Sequence, residues 1–160
     1  MDLVDELFRH NSWANRRLLE FCAGLEPPIL DSSAPGTMGS IIDTLRHLSG
    51  AEERYLEFLE LASSRRDEVM EGAKLDLPAL QREAAGRTER WDRLLARKLD
   101  PGEVIERTRK DGTVDALPRA TLLLQAIHHG NDHRTHICTI LGAQGIEPPE
   151  LDGWNFYSVE

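Results

Sequence analysis

The chain has 160 residues, 40% of them hydrophobic and 29% charged, and a formal net charge of −9. Such a length suits one domain with a real hydrophobic core, read here as a single domain over 1–160. The acidic balance, without a basic cluster, argues against nucleic-acid or anionic-membrane binding, and nothing approaches the run of about 18 apolar residues that a membrane span needs.

The N-terminus, MDLVDELFRH, is acidic and carries no apolar run of the signal-peptide kind. Val4, Leu7, Ala14, Leu18, Phe21 and Leu25 recur at three and four, which predicts a helix over 3–24 with Asn11 as a polar member of its stripe. Gly24 and Pro27-Pro28 end it, and PPILDSSAPG reads as a loop. Ser40 to Asp43 matches a capping box. From there Ile41, Ile42, Leu45, Leu48, Tyr55, Phe58, Leu59 and Ala62 give a broad apolar face up to about residue 63, with His47 on its margin beside the small Gly50 and Ala51.

Residues 63–76 are polar and read as a connection. Pro78 suits a first helical turn, and Leu80, Ala84, Trp91, Leu94 and Leu95 carry a third helix that Asp100-Pro101-Gly102 stops. Val104, Ile105, Thr108, Thr113 and Val114 favour strand, and Asp111-Gly112 is a preferred pair for a tight hairpin turn. Pro118 opens the last helix, and Gly142 and Gly145 close it. The tail, IEPPELDGWNFYSVE, has no periodicity, and its aromatic residues are expected to pack back onto the helices. The expected fold is all-α, a four-helix bundle with a small β-hairpin inserted before the last helix.

The last helix carries the chemistry. His128, His129, His133 and His136 crowd into it, and His129, His133 and His136 share one face at i, i+4 and i+7. Imidazoles on an inward face need partners, either hydrogen bonds or a metal ion. His129 and His133 could supply two ligands from one helix, and a third must come from another element. His47 is the candidate, as the only histidine between residues 10 and 128. His136 could be a fourth ligand, an acceptor behind the ligands, or a surface or dimer contact. His128, a quarter turn off the line, is expected to be exposed or bonded to a neighbouring helix, and His10 structural. Glu52 and Glu53 are expected on a solvated helix face, so no general base is assigned. Gly130 follows His129 where a zinc peptidase of the H-E-x-x-H type would carry its glutamate, which excludes that class. Paired Glu-x-x-His motifs of a carboxylate di-metal bundle are missing as well. Cys22 and Cys138 suit free thiols in a reducing cytoplasm.

N-S-W-A-N-R-R-L-L (Asn11 to Leu19), T-L-R-H-L (Thr44 to Leu48), H-G-N-D-H-R (His129 to Arg134) and G-I-E-P-P (Gly145 to Pro149), in this order, resemble the DinB-like family of metal-binding proteins. The resemblance implies an up-down-down-up bundle, a homodimer, and a divalent metal, zinc or nickel for preference, held by His47, His129 and His133. The family's last motif continues H-R-G-Q, whereas here it reads His133-Arg134-Thr135-His136. Relatives of known activity use low-molecular-weight thiols such as bacillithiol, mycothiol or glutathione. The resemblance therefore implies a cytoplasmic, metal-dependent thiol S-transferase acting on a small-molecule electrophile. A metal-dependent hydrolase and a non-catalytic, stress-linked metal binder are the alternatives.

Overall fold

Most long helices begin where a side chain can satisfy free amide groups. In the computed structural model, which describes residues 2–61, 75–108 and 112–158, Asp2 accepts from the Val4 N–H at 2.9 Å and opens α1 (Leu3–Ala23). A single turn, α2 (Pro27–Leu30), follows within the stretch expected to be a loop, because two prolines at its first positions are already set for helix. Ser40 caps α3 (Ile41–Leu61) by accepting from the Asp43 N–H at 3.2 Å. The return arm of the capping box goes to the Ser40 hydroxyl, which donates to Asp43 at 3.0 Å. Asp76 accepts from the Ala79 N–H at 2.9 Å and opens α4 (Leu77–Leu95). The connection expected over 63–76 lies largely outside the described residues.

A hairpin of β1 (Val104–Thr108) and β2 (Val114–Pro118) comes next, antiparallel, with Ile105 opposite Leu117. Gly112 takes a φ of +83° at its turn, a conformation glycine adopts without strain; Asp111 lies outside the described residues. The longest helix, α5 (Arg119–Ala143), starts directly after β2, and Arg119 ties its start to the Asp100 carbonyl and to Glu103.

The four long helices close into a ring in which α1 packs on α4 and α5, and α3 packs on α4 and α5. Two apolar clusters fix their directions. At one end Leu18, Leu19 and Cys22 of α1 meet Ile41 and Leu45 of α3, Leu80 and Ala84 of α4, and Ile137, Ile140 and Leu141 of α5. At the other, Phe8 meets Leu56, Trp91, Leu94, Leu122 and Ala126, with Ile105 of the hairpin closing the end. The start of α1 thus lies with the ends of α3 and α4 and the start of α5, which is the up-down-down-up arrangement. None of the described helices is long and apolar enough to cross a membrane.

Two sequence expectations change in detail. Val4 and Leu7 are exposed, and the inward line of α1 runs instead through Phe8, Asn11, Asn15, Leu18 and Cys22. A helix stripe is about 100° wide, and polar Asn11 and Asn15 sit at its centre, so an apolar count places it too far round. The tail forms a short helix, α6 (Gly153–Ser158), with Asp152 accepting from the Trp154 and Asn155 amides. Of its aromatic residues Phe156 packs on Trp13 and His10, whereas Trp154 is 87% exposed and does not pack back. His10 is structural, its Nε2 2.8 Å from the Leu151 carbonyl.

Candidate metal centre

Where α3 and α5 cross, three imidazoles meet. His129 and His133, one turn apart on α5, share a face because side chains at i and i+4 are neighbours, and their ring centroids are 4.3 Å apart. His47 of α3 completes the group, its ring 5.0 Å from that of His129 and 4.7 Å from that of His133. Gly50 and Ala51, the small residues next along α3, are both buried. The chain therefore brings together the three histidines its sequence singles out. One potential ligand atom from each lies within 4.8 Å of those of the other two.

The nitrogens face one another. His129 Nε2 is 3.0 Å from His47 Nε2 and 3.1 Å from His133 Nε2. An imidazole nitrogen has one in-plane site, filled by either a proton or a lone pair. The single site on His129 Nε2 is thus asked to serve two partners, which no pattern of simple N–H···N bonds satisfies. A shared cation does satisfy it. Two nitrogens each about 2.0–2.1 Å from one ion, at angles between square and tetrahedral, stand about 2.9–3.4 Å apart.

Protonation is disfavoured throughout the group. Burial, then the neighbouring His133 and His47, push His129 down to about 4; Arg54 adds to this and Asp132 opposes it. Burial followed by Arg54 lowers His47. Burial followed by His47 and His136 lowers His133, again against Asp132. All three are neutral near pH 7, the state in which imidazole offers a lone pair to a metal. His133 is buried, while His47 and His129 are half-buried, so protein backs one side of the site.

His136 stands beside the trio without joining it. Its ring centroid is 5.2 Å from that of His133. The Nδ1 atoms of His133 and His136 are both buried and without a hydrogen-bond partner in the structure. Ligand histidines usually donate their second N–H to an acceptor, and the neighbouring His136 imidazole is a candidate acceptor for that of His133. His128 is exposed, as expected.

Behind the histidines lies a buried polar layer. Glu52, expected on a solvated face, is 6% exposed and accepts four hydrogen bonds, which corrects that expectation. They come from Asn11 at 3.1 Å, Asn15 at 3.2 Å, Arg87 at 3.3 Å and the Trp91 indole at 3.1 Å. The two asparagines turn their carbonyls to Arg134, whose guanidinium donates to them at 2.7 and 2.6 Å. The layer crosses the diagonal of the bundle from α1 to α3 and joins all four long helices. Arg134 follows His133 directly and Gly130 follows His129. A Cβ on Gly130 would lie 2.5 Å from the Asn11 oxygen and 3.0 Å from the Arg134 guanidinium, so glycine there is a condition of the contact. Glu53 is half-buried and paired with Arg90.

Sequence reasoning passed over this layer, although it left a trace. Asn11/Asn15, Arg87/Trp91 and Gly130/Arg134 are i,i+4 pairs within otherwise apolar faces, one pair to a helix, and each contributes to the contacts around Glu52 and Arg134.

A model of the DinB family matches residues 1–159 of the chain. No curated protein matches it. Among solved structures, the crystal structure of a DinB-like protein from Bacillus subtilis is similar, with a TM-score of 0.65 at 14% identity over 94% of this chain and 99% of that one. That likeness concerns the fold, while the family match spans nearly the whole sequence: the chain belongs to the DinB family.

Proposed function

We propose that the chain binds a divalent metal ion through His47, His129 and His133 and uses it, with a low-molecular-weight thiol, to modify a small electrophile. The observation that supports this most is the convergence of three neutral imidazoles, with two Nε2–Nε2 separations of 3.0 and 3.1 Å. Imidazole suits zinc and nickel alike. Three protein ligands leave a coordination position for another molecule, as in catalytic rather than sealed sites. A divalent cation held there supplies Lewis acidity, lowering the pKa of a coordinated thiol or water.

The chain's own side chains favour an external thiol. Burial pushes the Cys22 thiol up to about 12 and raises Cys138 as well, so neither is a ready nucleophile. Glu52 and Glu53 are both engaged by arginines, so neither is free to act as general base. S-transfer asks less of such a base than hydrolysis does. In it the thiol sulfur bonds to the electrophilic carbon, the leaving group departs with its bonding pair, and the thiol proton passes to solvent.

The engagement of both Glu52 and Glu53 by arginines also favours a second reading, a metal-binding protein without turnover. Metal-loaded protein offered a panel of thiols with a chlorinated nitroaromatic acceptor separates the two. Metal-dependent formation of the thioether is expected under the first reading. Intact metal binding with no such product would establish the second.

A further inference from the structure

Arg54 lies seven residues beyond His47 on α3, two turns along and nearly in line with it. It is half-buried, and no described residue is hydrogen-bonded or ion-paired to it. Three acids near it on α3 are committed elsewhere, and Glu57, three residues on, is not free either. Glu53 and Glu60 pair with Arg90, and Glu52 is enclosed in the buried layer. Tyr55, next to Arg54, sets its ring edge-on to that of His129 at 5.8 Å, so this stretch of α3 walls the histidine site.

A half-buried guanidinium with no carboxylate partner among the described residues is open to an anion, and its fork of donors matches a carboxylate better than any other common anion except phosphate. The three neutral ligands cancel none of a cation's charge, and Asp132, on the α5 side, is exposed. The region around the histidines therefore favours anions although the whole chain is acidic.

We propose that the small molecule accepted at the histidine site carries a carboxylate, held by Arg54 while its other end faces His47, His129 and His133. The proposal rests on the metal reading above and adds a ligand class to it. The span from Arg54 to the histidines, about 10 Å along the helix for two turns less the reach of the arginine, suits a thiol and a carboxylate separated by several carbons.

Full-length protein loaded with cobalt(II) tests this with mercaptohexanoate and mercaptohexanol, which differ at the far end and are too long to chelate one ion. The near-ultraviolet absorption of a cobalt–sulfur bond reports the affinity of each. The acid is expected to bind roughly five- to tenfold more tightly than the alcohol, as for a partly screened ion pair. Arg54→Gln is expected to remove that difference and leave the alcohol unchanged, and Arg54→Lys to keep part of it. Equal affinities in the unsubstituted protein, or a preference that survives Arg54→Gln, would overturn the carboxylate proposal alone, and cobalt uptake with no sulfur band would overturn it together with the thiol reading. Folded protein that takes up no cobalt would overturn the metal reading and this proposal with it.

Discussion

Two polar clusters share the middle of the bundle and solve burial in opposite ways. Around Glu52 the chain supplies every partner: two amides, an indole and a guanidinium fill both carboxylate oxygens, and Arg134 is answered by two asparagine carbonyls. Around His129 the chain supplies no consistent partner, only more nitrogens aimed at the same point. Structural polar groups are normally satisfied from within. A cluster that is neutral, convergent and internally unsatisfied is complementary to something the chain does not encode. The first cluster holds the fold together, and the second is available for chemistry.

Breaking the closed cluster should have the largest effect. Glu52→Ala leaves Arg87, Asn11, Asn15 and the Trp91 indole without their shared buried acceptor and is expected to lower stability by about 3–5 kcal/mol, the usual result of removing one partner of a buried pair. Denaturant midpoints at constant slope measure this; a loss under about 1 kcal/mol would contradict the structural role. A smaller effect is expected for Gly130→Ala, which forces a methyl group against Asn11 and Arg134. Crowding of this kind costs about 1–3 kcal/mol, set against at most about 1 kcal/mol gained in helix propensity. Because Gly130 follows His129, metal affinity should weaken in the same variant; a neutral or stabilised protein would show that the contact yields freely.

His136 lies between the two regimes. His136→Leu removes the imidazole beside His133 and is expected to weaken metal binding about tenfold, at the low end of outer-shell effects, with His136→Gln restoring most of it. Competition with a chelator reads this, and an unchanged affinity in His136→Leu would leave His136 a packing residue. The last effect is in pH. His129 is lowered from 6.5 to about 4, so between those values the unfolded chain binds the proton that the folded chain refuses. Metal-free protein should therefore lose stability as pH falls below about 6.5, and His129→Gln should flatten that dependence. Thermal melts at two pH values in that window, on both proteins, give the comparison; identical slopes would contradict it.

The open cluster was far more legible in the sequence than the closed one. His129 and His133 are i,i+4 on one helix, and a spacing fixed by helix geometry can be read without tertiary contacts. His47 stood out as a solitary histidine on an apolar margin, and the family resemblance converged on the same residue. Glu52 gave no such sign. A glutamate beside Glu53, on a helix with further acids, looks like solvent-facing charge. Only packing across the diagonal reveals that Asn11, Asn15, Arg87 and Trp91 all point at it. Polarity marks burial poorly when the compensating groups come from two other helices. The same cause displaced the α1 stripe, because Asn11 and Asn15 lie at its buried centre where apolar residues were sought. The short helices α2 and α6 were missed for a simpler reason, since fewer than two turns carry too little periodicity to detect.

The most direct measurement is elemental analysis of the chain purified without nickel affinity resin, beside His47→Ala and His129→Ala. A stoichiometric divalent ion is expected in the unsubstituted protein, and background levels in both variants, each keeping its helical circular dichroism and melting cooperatively. Metal-free unsubstituted protein that takes up no ion when offered zinc or nickel, or variants that retain full occupancy, would contradict the assignment of these three imidazoles.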